Sequence, residues 1–98
     1  MFADCHNHTC HFSFDAQMSI SEAVLGSAKS NVDILAITEH YEVGFDKQIF
    51  DFNQYHDAFS TWKKLTVNGP KLLMGIEIGY QEHLARDCDE LGNKLPFD

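Results

Sequence analysis

Three features of the 98-residue sequence predict an α/β fold built on parallel strands. Two compact apolar runs, residues 33–38 (DILAIT) and 72–78 (LLMGIEI), read as strands buried on both faces. Segments with helical spacing of apolar residues lie between and after them. The resulting order, β-α-β-α-β-α, is that of parallel strands joined by helical crossovers. The length allows one small domain over residues 1–98.

The first strand is expected within residues 1–9, followed by a loop over 10–18. Ser19-Ile20-Ser21-Glu22 is a capping box, with Ser19 as N-cap. The helix it opens runs to about Ser30, with Ile20, Val24 and Ala28 on one face, and Asn31 stands where a left-handed C-cap residue belongs. The second strand ends in Glu39-His40, and 41–47 is a loop. Phe52, Tyr55, Phe59 and Trp62 mark one face of a second helix and read as core. Asn68-Gly69-Pro70 stops that helix. After the third strand, Leu84, Cys88 and Leu91 recur at i, i+4, i+7, so a third helix is expected to end at Gly92. Pro96-Phe97-Asp98 has the look of an entry to a further element.

Composition narrows the function. Fifteen acidic against seven basic residues give a net charge of −8, and Lys63-Lys64 is the sole basic pair. Such a surface repels phosphate backbones, which argues against nucleic acid as a partner. The 44% hydrophobic content argues against disorder. Three cysteines form no even framework and read as reduced, cytoplasmic thiols. The opening MFADCHNH lacks a signal peptide's basic and apolar regions, and no apolar run approaches a membrane span.

The chemistry concentrates at strand carboxyl ends, where α/β folds place their sites. His6 and His8 end the first strand, His40 ends the second, and Glu77 lies near the end of the third. Period-2 alternation puts Asp4, His6 and His8 on one face and Cys5, Asn7 and Thr9 on the other. A structural zinc site joining Cys5 to His6 would need both faces, whereas H-x-H sets two imidazoles beside one ion. Asp15, on the following loop, is free to fold over the rim, and His11 is an alternative ligand on spacing. Gly75 and Gly79 flank Glu77 along its face and leave room for ions or substrate. Glu77, a carboxylate in an apolar strand, needs a partner.

Blander readings attach to the other residues. An isolated H-x-H is a weak signal, and a lone histidine after a strand is more often a hydrogen-bonded loop residue. His56 and His83 read as solvent-facing or packing residues, Cys5 as a small packed residue, and Cys10 as a bystander.

The stretches DCHNHT, SFDA, ITEH and GIEIGY, in that order from Asp4 to Tyr80, resemble the opening motifs of the polymerase and histidinol phosphatase (PHP) superfamily. TEH and GIEIGY are closest to its histidinol-phosphatase branch. The resemblance implies a distorted parallel (β/α) barrel, TIM-barrel-like, of which this chain supplies the first three βα units. It also implies up to three divalent ions (Zn, Mn or Fe). His6, His8 and Glu77 would ligate the first, Glu77 would bridge to a second, and Asp15 and His40 would ligate a third. Glu77 and His40 would thereby be central to catalysis, and Asp4 would orient a histidine from behind the ligands. Family members are two to three times longer, with further ligands beyond the position of Asp98, so the chain resembles an N-terminal part.

The implied activity is metal-assisted hydrolysis of a phosphomonoester, L-histidinol phosphate, in histidine biosynthesis. One alternative within the superfamily is a phosphoesterase acting on nucleotides or nucleic-acid ends. A 98-residue chain taken literally would instead be a non-catalytic metal-binding module.

Overall fold

A computed structural model of the chain describes residues 1–41, 50–79, 82–94 and 96–98. The loop expected over 41–47 lies outside these residues, except for Tyr41; Tyr80 lies outside them too.

Ile34–Tyr41 (β2) and Lys71–Ile78 (β3) are strands built on short, near-continuous apolar runs that include β-branched residues. They pair in parallel from Ile34 opposite Lys71 to His40 opposite Glu77 and Tyr41 opposite Ile78. Ala3–Asp4 (β1) pairs in parallel with the other side of β2, giving the sheet order β1-β2-β3. The parallel α/β expectation is met.

The helices Ile20–Lys29 (α1) and Phe52–Leu65 (α2) connect the strands. Ala23 of α1 and Tyr55 and Phe59 of α2 pack in one core with Leu35, Ile37, Leu72 and Met74. Each fully buried side chain of this size contributes about 1.5–3 kcal/mol. Both helices therefore bury against the same sheet face, as in a barrel wall; a doubly wound sheet would cover both faces. The other face, carrying Ile34, Ala36, Thr38 and His40, is only half-buried among the described residues. The expectation of strands buried on both faces is corrected accordingly.

Helix starts follow their caps. The Ser19 hydroxyl accepts from the Glu22 N–H at 3.2 Å, and Asn31 is left-handed at φ 57°. The buried stripe of α1 is Ala23 and Ser27, with Ile20 and Val24 at its margin and Ala28 exposed, so the packing face is rotated from the expected one. Asp51 caps α2, accepting from Asn53 N–H at 3.0 Å and Gln54 N–H at 3.1 Å. That helix ends three residues before Asn68, tightening at Thr66 into an i→i−3 bond from its N–H to the Lys63 carbonyl at 3.4 Å. A 3-10 turn, Glu82–Leu84, leads into Ala85–Lys94 (α3). Gly92 does not stop α3: glycine is permissive in a helix rather than forbidden there. The side chains of Leu84, Cys88 and Leu91 lie outside the description.

Asp98 docks against β3. Its N–H donates to the Met74 carbonyl at 2.8 Å and its carboxylate accepts from the Met74 N–H at 2.7 Å. That donor, with Lys63 at 3.2 Å, holds the Asp98 carboxyl below the usual carboxylate range. Among the described residues no helix is long and apolar enough to cross a membrane.

Candidate metal centre

The first strand is shorter than expected, and the reason shapes the site. Regular pairing stops at Asp4. Beyond it, the Asn7 side-chain amide donates to the Ala36 carbonyl at 3.1 Å, where a backbone N–H would stand in a continuous strand. Backbone pairing then returns at Thr38, whose N–H donates to the Asn7 carbonyl at 2.7 Å and whose hydroxyl accepts from the Asn7 N–H at 3.2 Å. Asn7 thus splices an irregular segment onto β2, with His6 and His8 on either side of it. Strict alternation does not apply here, yet the two histidines converge as the spacing required.

Their meeting point is one oxygen of Glu77. His6 Nε2 lies 2.9 Å from Glu77 Oε2, His8 Nε2 lies 3.0 Å from it, and the two nitrogens are 3.1 Å apart. His40, directly opposite Glu77 in the ladder, brings Nδ1 to 3.6 Å from the same oxygen. Its Nε2 is 3.3 Å from Asp15 Oδ2. The His8 and His40 rings stack with centroids 3.9 Å apart. All five expected ligand residues thus gather in one cluster, as a triad (His6, His8, Glu77) and a pair (Asp15, His40) joined through Glu77.

The triad fits a divalent cation. Two ligand atoms about 2.1 Å from one ion stand about 3.0 Å apart at a right angle and about 3.4 Å apart at a tetrahedral angle. The observed edges of 2.9–3.1 Å match the first case. Imidazole and carboxylate donors suit zinc, manganese and iron. His8 Nδ1 is buried and has no hydrogen-bond partner among the described residues.

Other expectations fare differently. Asp4 meets no imidazole among the described residues; its carboxylate faces the His6 backbone N–H at 3.4 Å. His11 is away from the cluster, beside Trp62 at 5.6 Å, with Nε2 near the Ile20 N–H. Cys5 is exposed rather than packed, as is Cys10. His56 and His83 are exposed. Gly75 opens no space for substrate: a Cβ there would come within 3.1 Å of the Thr38 methyl, so the missing side chain admits Thr38.

Sequence reasoning overlooked Glu39. It is 0% exposed and accepts from the Thr9 N–H at 2.6 Å, the Thr9 hydroxyl and the Ser13 hydroxyl at 3.1 Å. The signal was present: the requirement that a carboxylate in an apolar strand find partners applies to Glu39 as it does to Glu77. Phe12 was also missed. It packs on Tyr55, Phe50 and Trp62 at 5.2–6.2 Å and anchors the loop that carries Asp15.

A barrel-type β/α wall that gathers imidazoles and carboxylates at its strand carboxyl ends defines a protein with a candidate divalent-metal centre. The chain belongs to the PHP domain family, whose profile matches residues 4–95. A probable histidinol-phosphatase from Clostridium acetobutylicum is 35% identical over 101 residues, covering all of this chain and 37% of that protein. A second relative is the crystal structure of histidinol phosphate phosphatase from Lactococcus lactis, complexed with zinc, L-histidinol and phosphate. It matches with a TM-score of 0.85 at 21% identity, over 99% of this chain and 37% of that one. The second likeness establishes the fold. The chain spans 37% of the length of each relative.

Proposed function

We propose that residues 1–98 form part of a single PHP domain whose full-length protein is a metal-dependent phosphomonoesterase, with L-histidinol phosphate as substrate. The observation that carries this reading is the His6–His8–Glu77 triangle, three donor atoms within 3.1 Å of one another in a PHP chain. His6, His8 and Glu77 would hold one divalent ion, and Asp15 and His40 would hold another. Zinc has the strongest support, since the Lactococcus relative is complexed with it.

Divalent ions bound there supply the Lewis acidity that activates water and neutralises phosphoryl oxygens. The chain's own residues make that possible. Asp15 and Glu77 are part of the −8 of this chain and put negative charge on the rim, so the rim alone repels a phosphate dianion. The same carboxylates attract cations, and the imidazoles fix them without adding positive charge of their own. The splice at Asn7 and the His40–Glu77 ladder pair set the donors on rigid backbone. Both relatives carry the histidinol-phosphatase name, which supports the substrate.

The test is a phosphatase assay on the purified full-length protein, comparing histidinol phosphate with a dinucleotide. Turnover of histidinol phosphate that EDTA abolishes and added Zn²⁺ or Mn²⁺ restores is expected. Preference for the dinucleotide would move the reading to a nucleic-acid phosphoesterase. Inactivity on both substrates with metal bound would favour a binding module.

A further inference from the structure

We propose that Glu39 is a positioning residue for the metal centre, setting His8, Asp15 and His40 through Thr9 and Ser13; this rests on the metal-centre reading above. Glu39 is fully buried, and no described cation pairs with its carboxylate. Burying a carboxylate without a counter-charge is costly, so its surroundings must be built to receive it.

Three hydrogen bonds are donated to the carboxylate. Oε1 takes the Thr9 N–H and the Ser13 hydroxyl, and Oε2 takes the Thr9 hydroxyl. Because the Ser13 proton goes to Glu39, its lone pair is free to accept, and it accepts the His40 N–H at 3.0 Å. The direction of every proton in the chain His40 N–H to Ser13 Oγ–H to Glu39 is therefore fixed.

Each contact lies next to a candidate ligand. Thr9 follows His8 directly. Ser13 stands two residues before Asp15, in a turn closed by Ser13 N–H to Thr9 O at 3.0 Å and Ala16 N–H to Ser13 O at 3.1 Å. His40 follows Glu39 itself, on the opposite face of β2. One carboxylate thus ties together three backbone segments that deliver three of the five ligand residues. Glutamine is a poor replacement: its amide nitrogen can only donate, so the Thr9 hydroxyl opposite it would have to turn round and accept, and the charge that strengthens the three contacts would be lost. Glu39 touches none of the ligand atoms, so it acts through its partners.

The experiment measures Zn²⁺ affinity by competition with a chromophoric chelator, and the visible spectrum of the Co²⁺-loaded protein, using full-length protein. Variants are Glu39→Gln, Ser13→Ala and, as a core control away from the cluster, Phe59→Leu. Glu39→Gln is expected to weaken Zn²⁺ binding by about 10–100-fold and Ser13→Ala by about 10-fold, both with an altered Co²⁺ spectrum. Phe59→Leu is expected to lower thermal stability while leaving affinity and spectrum at wild type. If Glu39→Gln does not fold, Ser13→Ala, which removes one hydroxyl, decides the matter. Wild-type affinity and spectrum in Ser13→Ala and Glu39→Gln would overturn the role of Glu39 alone. Equal loss of affinity in Phe59→Leu would reduce that role to general stability and overturn it too. A wild-type protein that binds no Zn²⁺ would overturn the metal-centre reading, and this role with it.

Discussion

Replacing Tyr55 by phenylalanine tests the packing beneath the site. Tyr55 is fully buried, and its hydroxyl lies 2.9 Å from both the Ile37 and the Gly75 carbonyl, one on each central strand. The single phenolic proton is shared between them. Removing it forfeits a net hydrogen-bond contribution of about 0.5–1.5 kcal/mol and leaves buried acceptors short of a donor, for a total of about 1–3 kcal/mol. In a full-length protein of its relatives' size, of which this chain spans 37%, that lowers the melting temperature by roughly 2–4 °C per kcal/mol. Burial, and secondly the charge of Glu39, raises the phenol's pKa well above its ordinary value of 10.0. The sign follows: above about pH 10 the unfolded chain loses a proton that the folded chain keeps, so stability falls as pH rises, by about 1.4 kcal/mol per unit. Phenylalanine has no such dependence, and other titrating groups cancel between the two proteins. Denaturant unfolding from pH 8 to 11 should therefore show wild type ahead by about 1–3 kcal/mol at pH 8, with the gap closing above pH 10. Parallel curves throughout, or a phenylalanine variant as stable as wild type at pH 8, would show that the Tyr55 hydroxyl does not hold the two strands.

Glu77→Gln and His40→Ala should each lower metal content and phosphatase activity together in the full-length protein. Glu77→Gln should be the more damaging, because its oxygen faces three imidazoles; metal analysis beside a rate assay checks both. Gly75→Ala should cost about 1–3 kcal/mol, since the new Cβ would crowd the Thr38 methyl at 3.1 Å. It should also weaken Zn²⁺ binding, because Thr38 holds Asn7 between the two histidines; unchanged unfolding and affinity would contradict the close fit. The 98-residue chain expressed alone should bind Zn²⁺ or Mn²⁺ weakly and show negligible turnover, and robust turnover would show that the site needs no further ligands.

The element order and the crossover helices were legible because each rests on a strong local pattern, and His6, His8, His40 and Glu77 because they fall at strand ends, whereas Asp15 was set above His11 by the family resemblance. The apolar runs of β2 and β3 fix two strands, and the carboxyl-end rule then brings His40 and Glu77 together. What was hidden depends on side chains replacing backbone. Asn7 takes over a ladder bond, so strict period-2 reasoning over the first nine residues described a strand that ends at Asp4. The rotation of α1 depends on how Ala23 and Ser27 meet the sheet, which helical spacing alone does not decide. Glu39 was hidden by its neighbour, since His40 drew attention to the end of the strand.

The most direct test of the metal centre is crystallography of the Zn²⁺-loaded full-length protein with anomalous diffraction at the zinc edge. An anomalous peak is expected about 2.0–2.2 Å from His6 Nε2, His8 Nε2 and Glu77 Oε2 together, with a further peak between Asp15 and His40. A zinc-loaded protein whose anomalous peaks all lie away from these residues would contradict that metal centre.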